Sequence, residues 1–482
     1  MSREAIVLTT LVVYKLALLA IGVIAERRTK DQADFLLGGR SLGPLVAAIS
    51  ASASSSSVWT LLGVSGYAFA FGMRGLWLLP ACIGGFLINW CFVAPRLRRL
   101  ATERGALTLT EVLAGRDLGA AYRPARIVAS VIVLLSLTAY VAYQFQGAGK
   151  TFEANFATGA TASIVIGAVV VVVYTVLGGF WAVSLTDTLQ GLMMAGASVI
   201  LPIGALWAVG GFSGLSEGLE RLGQVQPESL SLTYGVEGLA AWGPILVLLA
   251  IAIGYPGQPH VVTRFMAMGD ENSVRKARIY SLTWAAIVYP GMILVGLCGR
   301  ILLAGDGVSG EFFGDYDRDT VFFDVTNQTM PAVVAGVLTA AVLSAIMSTA
   351  DSQLLAAAGS VSHDLDDSGR AESKILRSRL VVVGLSVLAV LFAIYAGQGI
   401  FDGVLVVFTA LGAAFGPLLV VTLWRGKVGP GWTLVAMLAG FGLSVVFNNI
   451  ADTRGTWIER VVPYIVATVL ALGGASGSAR RT

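Results

Sequence analysis

The chain has 482 residues, of which 56% are hydrophobic and only 13% are charged, and its net charge is +3 at pH 7. Soluble domains carry roughly 25% charged residues, so this composition excludes an ordinary soluble protein and predicts a surface that faces lipid. The small net charge gives no indication of nucleic-acid binding. Cys82, Cys91 and Cys298 all lie in apolar runs, without the spacing of a disulfide framework or a metal site.

Thirteen apolar segments follow one another almost from end to end, and a helix needs roughly 20 residues to cross a bilayer. Backbone groups find no partner in lipid, so the segments predict an all-α polytopic membrane protein. The first segment is predicted to be a retained helix, because a basic cluster follows it instead of a signal-peptide cleavage site. The segments are residues 5–25, 44–70, 75–94, 127–149, 162–183, 188–208, 239–262, 280–303, 330–360, 380–397, 400–424, 430–449 and 461–475.

The distribution of Lys and Arg predicts the orientation of the chain. With the N-terminus outside, the inside loops and the tail carry 23 Lys and Arg residues, whereas the outside loops and helix ends carry eight. Positive charge is in excess on the cytoplasmic side of membrane proteins. We therefore expect a multi-pass protein of the cell (inner) membrane with a cytoplasmic C-terminus. Outside loops 209–238 and 304–329 are long enough to hold short helices that cover an entrance.

The first polar cluster lies in the middle of the second segment, where six of the ten residues from Ser50 to Trp59 are serine. Polar groups at lipid depth are costly unless they face a protein interior or a water-filled site. Serine side chains bond to nearby backbone and help a helix to break. A broken helix exposes carbonyls that can bind a cation. The alternative is close helix packing through small residues.

The second polar cluster lies in the ninth segment. Ser348 and Ser352 are four residues apart and share one helix face with Ala345. Hydroxyl and carbonyl oxygens suit a hard cation, and Asp351 adds a negative charge. The alternative for Asp351 is a position at the cytoplasmic end of the helix, exposed to water or paired with a base.

The third polar cluster, GGFWAVSLTDTLQ, is predicted at the turn between the fifth and sixth segments. Its distinctive residue is Asp187. One interpretation makes Asp187 a cation ligand on the inner half of a transport route. The other makes it a helix cap that the helix dipole stabilises.

The fourth cluster, IGYPGQPH, interrupts the seventh segment with two prolines and two glycines, which break a helix. Such breaks are tolerated where the backbone lines a cavity or neighbouring helices enclose it. Tyr255 and Gln258 offer a hydroxyl and an amide to a polar substrate, and the alternative is a packing kink without a ligand. His260 is expected to be structural or interfacial.

The two breaks stand at equivalent places in two groups of five segments, 44–208 and 239–424. An odd number of segments gives the two groups opposite topologies. Inverted repeats that bind a substrate at broken helices are typical of secondary transporters. Segment 5–25 precedes the repeats, and residues 430–475 supply two helices after them.

Four motifs, FLLGGRSLGP, GGFWAVSLTDTLQG, GYPGQPH and AIMSTADSQLL, resemble segments of the sodium:solute symporter family. The likeness is strongest to the sodium/proline symporter branch and runs from about Asp34 to about Arg425. The resemblance implies the leucine-transporter-type fold, a 5+5 inverted repeat with one extra helix before the repeats and two after, about 13 transmembrane helices in all.

The resemblance also implies sodium sites between the second and ninth segments. Carbonyls of Ala53 and Ser56 would bind the first sodium with three residues of the ninth segment. A second sodium would lie deeper. The remaining ligands of the first sodium are Ala345, Ser348 and Thr349, and those of the possible second sodium are Asp187, Asp351 and Ser352.

Substrate positions carry over from the same family. They lie on the broken second segment, the fourth segment and the broken seventh segment. The chain departs from proline carriers where it has Ser55 instead of Asp, a change for which Asp351 could compensate. It also has Ile251 instead of Trp, which opens the pocket beside the substrate. The substrate positions are Ser57, Trp59, Tyr140, Tyr255, Gln258 and Pro259.

The resemblance therefore predicts sodium-coupled symport of a small organic solute by alternating access, with Na⁺ as the co-transported ion. The predicted solute is proline or another amino acid, and a sugar, sialic acid or an organic anion is the alternative. A solute-binding membrane sensor is a further alternative. An enzyme is not expected, since the chain shows no Ser/His/Asp set, metal cluster or phosphate loop. The expected partners are the substrate and the lipid bilayer, with no nucleic acid and no obligate protein partner.

Overall fold

A computed structural model describes residues 3–26, 36–156, 158–177, 180–305, 308–365, 371–395 and 399–476. Every regular element in these ranges is helical. The helices are α1 (Arg3–Glu26), α2 (Pro44–Ser55), α3 (Val64–Phe71), α4 (Leu78–Leu87), α5 (Ala94–Arg104), α6 (Leu109–Ala114), α7 (Arg123–Phe156), α8 (Ala160–Leu177), α9 (Phe180–Ala208), α10 (Gly211–Gly223), α11 (Trp242–Gly254), α12 (Pro259–Met266), α13 (Glu271–Leu303), α14 (Phe312–Asp315), α15 (Val321–Thr329), α16 (Ala332–Gly359), α17 (Ala371–Tyr395), α18 (Ile400–Arg425), α19 (Pro430–Asn449) and α20 (Trp457–Gly473).

Helices occupy all thirteen predicted segments, singly or as consecutive pieces. Among the described residues, nine stretches are long and apolar enough to be counted as candidate membrane spans, so the number thirteen stays a prediction. The short helices expected in the outside loops are present as α10, α14 and α15. Asp34 and Phe35 of the resembling stretch, and the basic tail after Ser476, lie outside the described residues.

The second predicted segment breaks in its serine run, as expected. Helix α2 ends at Ser55, Ser56 and Ser57 leave the helical conformation, and a π-turn leads into α3. The Ser52 hydroxyl donates to the Ala48 carbonyl at 2.8 Å, and the Ser55 hydroxyl donates to the Ser52 carbonyl at 3.0 Å. These local bonds compete with the regular helix pattern, which is why serine favours a helix end here.

The seventh predicted segment also breaks. Helix α11 ends at Gly254, one tight turn follows, and α12 begins at Pro259. Proline lacks the N–H that would continue a helix. A Cβ at Gly257 would lie 2.5 Å from the carbonyl oxygen of Gly412, so only glycine allows α18 to approach this turn.

The broken helix α2 lies at the centre of the bundle, packed against α9, α12, α13 and α16. Helices α16 and α18 are mostly buried, whereas α17 and α19 present large apolar side chains to the outside. An apolar exterior fits the lipid environment that the composition predicts. We name the two ends by the predicted orientation: the inner end carries α6, and the outer end carries α10 and α15.

Candidate functional site

The first break faces the serine and threonine hydroxyls of α16. The Ser348 hydroxyl lies 3.4 Å from the carbonyl oxygen of Ala53 and 3.2 Å from that of Ala345. The Thr349 hydroxyl lies 3.5 Å from the Ala53 carbonyl and 3.2 Å from the Ser54 carbonyl. All of these residues are buried. The result is a small cage of neutral oxygens of the kind that a hard monovalent cation prefers.

Ser56, the remaining residue predicted for the first sodium, directs its hydroxyl elsewhere. This hydroxyl lies 3.2 Å from the hydroxyl of Tyr289, which in turn lies 3.0 Å from the hydroxyl of Tyr255. A chain of three hydroxyls therefore connects the two broken helices. No sequence motif pointed to Tyr289, which lies on α13 within a largely apolar stretch.

The residues predicted for a second sodium also come together, at a level nearer the inner end. One oxygen of Asp187, Oδ2, accepts hydrogen bonds from Ser50 at 2.9 Å, Ser54 at 3.2 Å and Ser352 at 3.4 Å. The Ser352 hydroxyl also lies 3.2 Å from Oδ1 of Asp351. Both carboxylates are fully buried.

The structure contradicts the helix-cap interpretation of Asp187 and the water-exposed alternative for Asp351. Asp187 lies in the third turn of α9, since that helix begins at Phe180, so it does not cap a helix end. Asp351 is not exposed to water, because its side chain is enclosed by the bundle.

The structure adds an unexpected cation to this cluster, the guanidinium of Arg264. It forms an ion pair with Asp187 at 2.9 Å, and its side chain is only 2% exposed. It also donates to the hydroxyls of Ser50 and Ser352 and lies 5.1 Å from the centre of the Phe180 ring. Arg264 is one of the 23 Lys and Arg residues that the predicted orientation assigns to the inside loops and the tail. Its position four residues after His260 places it on the buried face of α12, but only the packing reveals its partner.

The charges of this cluster do not balance. The cluster holds two buried carboxylates, Asp187 and Asp351, but one guanidinium, which pairs with Asp187, and an uncompensated buried charge is costly. Oδ1 of Asp187 and Oδ2 of Asp351 are buried and have no hydrogen-bond partner among the described residues. The cluster can therefore accept one more small cation or a proton.

Three predicted substrate residues gather at the first break. The Ser57 hydroxyl accepts a hydrogen bond from the backbone N–H of Trp59 at 3.1 Å and contacts the hydroxyl of Tyr140. The Tyr140 ring stands edge-on to the His260 ring, with 6.1 Å between their centres. The first break, α7 and the start of α12 thus border one region.

The other three predicted substrate residues lie at the second break. The Tyr255 hydroxyl points to Tyr289, and the Gln258 amide donates to the carbonyls of Gly254 at 3.2 Å and Phe408 at 3.0 Å. The carbonyl oxygen of the Gln258 side chain is buried without a partner in the described part of the chain. Pro259 begins α12 and lines a cavity that opens towards the inner end.

Aromatic rings cover the site on its outer side. The Trp59 and Phe401 rings are stacked with centres 5.3 Å apart, and Tyr67 stacks on Phe401 at 4.8 Å. The Arg318 guanidinium lies 5.6 Å from the Phe401 ring and pairs with Asp402. These rings therefore cover the first break on its outer side.

A small cavity of about 30 Å³ lies on the inner side of the site. Its wall includes Arg264 and Ser352, and its rim includes Thr108 and neighbouring residues of α6. Glu111 of α6 lies 2.8 Å from the imidazole of His363, a contact that ties α6 to the end of α16. Burial raises the pKa of Glu111, but the hydrogen bond and charge of His363 and the Leu107 N–H outweigh it and hold this pKa below its ordinary value.

Comparisons with known proteins show what this chain is similar to. The profile of the Sodium:solute symporter family matches residues 35–440. The osmoregulated proline transporter OpuE of Bacillus subtilis (strain 168) is 32% identical over 477 residues, which are 98% of this chain and 94% of that protein. The sodium/proline symporter of Salmonella typhimurium (strain LT2) is 33% identical over 450 residues, 92% of this chain and 88% of that protein.

The fold is also found among solved structures. A Na⁺-coupled sialic acid symporter in a substrate-bound, outward-open state superimposes with a TM-score of 0.78, over 98% of this chain and 97% of that protein. The sequence identity of the pair is 18%, so this likeness concerns the fold alone. The leucine-transporter-type fold implied by the motifs is thereby confirmed.

Proposed function

This chain belongs to the sodium:solute symporter family, and we propose that it carries a small zwitterionic amino acid, with L-proline as the first candidate, into the cell together with sodium. Sodium-coupled symport of a small solute is the activity of the family. The observation that carries the proposal is the oxygen cage formed by the Ser348 and Thr349 hydroxyls and the carbonyls of the first break.

In this proposal the first sodium joins α16 to the break between α2 and α3. The hydroxyls of Ser348 and Thr349 and the carbonyls of Ala53, Ser56 and Ala345 would bind it. A bound cation would satisfy carbonyls that the break leaves without helical partners, and so favour the arrangement that receives the substrate. Substrate and sodium would each raise the affinity for the other by the same factor.

Alternating access would follow from the rocking of one helix bundle against the other. The aromatic rings over the first break agree with a state in which the substrate residues are covered from the outside, given the predicted orientation with the N-terminus outside. A membrane potential that is negative inside would drive each sodium inward with about 2.3 kcal/mol per charge per 100 mV.

A second cation is proposed at Asp187, Asp351 and Ser352, beside Arg264. The two unpartnered carboxylate oxygens support it, because a small cation between them would neutralise the remaining charge. Asp351→Asn removes that charge. We expect the reversal potential of uptake to show one sodium fewer per transport cycle in this variant, and an unchanged reversal potential would exclude the second sodium.

The amino-acid substrate is supported by the uncharged lining of the two breaks. The six proposed substrate residues, Ser57, Trp59, Tyr140, Tyr255, Gln258 and Pro259, carry no formal charge. A zwitterion needs hydrogen-bond donors and acceptors but no net countercharge. A solute with a permanent net charge does need a countercharge in a buried site. The curated relatives described above are proline transporters, which makes proline the first substrate to test.

The proposal is tested with purified protein in proteoliposomes. Labelled L-proline should accumulate under an inward sodium gradient and should not accumulate when choline replaces sodium. Uptake that continues in choline under a proton gradient would reject sodium coupling. Sodium-dependent proline binding without accumulation would identify a solute sensor in place of a carrier.

A further inference from the structure

Gln144 lies at the first break although no motif points to it. It sits on α7, four residues after Tyr140, so both side chains project from one face of the helix. Its side chain is completely buried. The side-chain carbonyl oxygen, Oε1, accepts a hydrogen bond from the backbone N–H of Val58 at 3.1 Å. Val58 is the first residue after the break, where a helix start leaves N–H groups without helical partners.

The orientation of the Gln144 amide follows from this bond. The Val58 N–H is a donor, so only the carbonyl oxygen of the amide can face it. The NH₂ group must then point away from Val58. This nitrogen, Nε2, is buried and has no hydrogen-bond partner among the residues that the structure describes. A buried amide donor without a partner is rare in proteins and calls for a ligand or water.

The backbone of α7 is held close to the break, which fixes the place of Gln144. A Cβ added to Gly147, one turn after Gln144, would lie 2.5 Å from the Val58 side chain. One turn before Gln144, Tyr140 contacts the Ser57 hydroxyl. The amide therefore cannot move far from the break while α7 keeps this position.

Other unpartnered polar atoms surround the same two breaks. The indole N–H of Trp59 is a second buried donor, and the side-chain oxygen of Gln258 is a buried acceptor. Two donors and one acceptor without partners form a pattern that is complementary to a carboxylate and an ammonium group. None of these three side chains carries a charge, so the pattern suits a net-neutral molecule.

We propose that Gln144 is a specificity-determining residue that donates from Nε2 to the carboxylate of the substrate while Oε1 stays on the Val58 N–H. The inference deepens the proposed function and rests on it. It assigns the substrate class as small amino acids with a free carboxylate, and it predicts poor transport of amidated analogues, which offer a weaker acceptor in place of a carboxylate.

The test is a near-isosteric exchange, Gln144→Glu, combined with two substrates. The new carboxylate still accepts from Val58 but has lost the donor and repels a substrate carboxylate. We expect the KM for L-proline to rise at least roughly tenfold, in the range of a lost hydrogen bond to a charged group. We also expect L-prolinamide, which carries amide donors, to gain relative to L-proline by at least a similar factor.

The ratio of the two substrates separates specificity from damage to the fold. A purely structural role of Gln144 would lower the transport of L-proline and L-prolinamide in parallel and leave their ratio unchanged. Gln144→Met removes the amide donor and acceptor and adds no charge. This variant should weaken the transport of L-proline without favouring that of L-prolinamide. The matched control is Gln146→Glu on the same helix. The Gln146 amide donates to the carbonyl of Ala393 at 3.0 Å and does not bond to the break.

The outcomes decide between the inference and the function on which it rests. Wild-type protein without sodium-dependent L-proline uptake would overturn the proposed function, and the inference with it. Normal wild-type uptake together with an unchanged substrate ratio in Gln144→Glu would overturn the inference alone. A shift of the ratio in Gln144→Glu but not in Gln146→Glu would support it.

Discussion

Thr349→Val is the sharpest test of the first sodium site. Valine has nearly the shape of threonine but replaces the hydroxyl by a methyl group. The Thr349 hydroxyl lies 3.2 Å from the Ser54 carbonyl and 3.5 Å from the Ala53 carbonyl, so it belongs to the proposed oxygen cage. Its removal takes away one ligand and leaves the packing of α16 almost unchanged.

The magnitude follows from the chemistry of the cage. A hydrogen bond or similar contact to a charged group contributes about 1.5–3 kcal/mol. One factor of ten in affinity corresponds to about 1.4 kcal/mol, so the sodium Kd should rise roughly 10- to 100-fold. At a sodium concentration about 100 times the wild-type Kd, bound sodium stabilises the protein by about 2.7 kcal/mol. A tenfold weaker site would leave about 1.4 kcal/mol at that concentration.

The assay is a thermal-unfolding titration with sodium, with choline keeping the ionic strength constant, followed by proline uptake at the same concentrations. Thr349→Ser retains a hydroxyl and should stay close to wild type. Ser344→Ala is the matched control on α16, because the Ser344 hydroxyl lies 2.5 Å from the hydroxyl of Tyr14 and not at the break. A sodium titration of Thr349→Val that coincides with wild type would refute the cage.

Three further predictions concern the cluster and the two ends of the route. Arg264→Met should destabilise the protein by about 3–5 kcal/mol, because it leaves Asp187 as an unpaired buried charge. The double variant with Asp187→Asn should recover part of this loss in thermal unfolding. No recovery would argue against the ion pair as the cause. Phe401→Ala should uncover Trp59 and increase the quenching of its fluorescence by iodide from the outer side, and unchanged quenching would show that this ring does not cover the site. The depressed pKa keeps Glu111 ionised at neutral pH, so its contact at the inner end should persist on mild acidification and weaken only as the pH falls through the lowered pKa. Glu111→Gln should therefore increase the labelling of a cysteine placed in the inner cavity at pH 7, and equal labelling would exclude this contact as a restraint.

Much of the fold could be predicted from the sequence, because the determining patterns are local. Apolar segments of membrane length specify helices, since lipid leaves the backbone no other partners. The serine run before Trp59 and the prolines beside Gln258 predict the two breaks, and the structure has both. The spacing of Ser348 and Ser352 places two hydroxyls on one helix face before any packing is known.

The partners of these groups could not be predicted from the sequence. That Ser348 faces Ala53, that Arg264 pairs with Asp187, and that Gln144 caps the Val58 N–H depend on contacts between residues 77 to 295 positions apart. Such contacts depend on how each helix is rotated and how closely its neighbours approach. Gly147 and Gly257 illustrate the point, because they allow backbone contacts whose partners lie on other helices.

The sequence by itself thus determined the class of protein, the helices, the breaks and the kinds of polar groups near them, because periodicity and composition act within a few turns of one chain segment. Only the tertiary structure decided which oxygens share a cage and which buried charges meet. It also decided which donors remain unpartnered, because burial and proximity arise when distant segments pack together and exclude water.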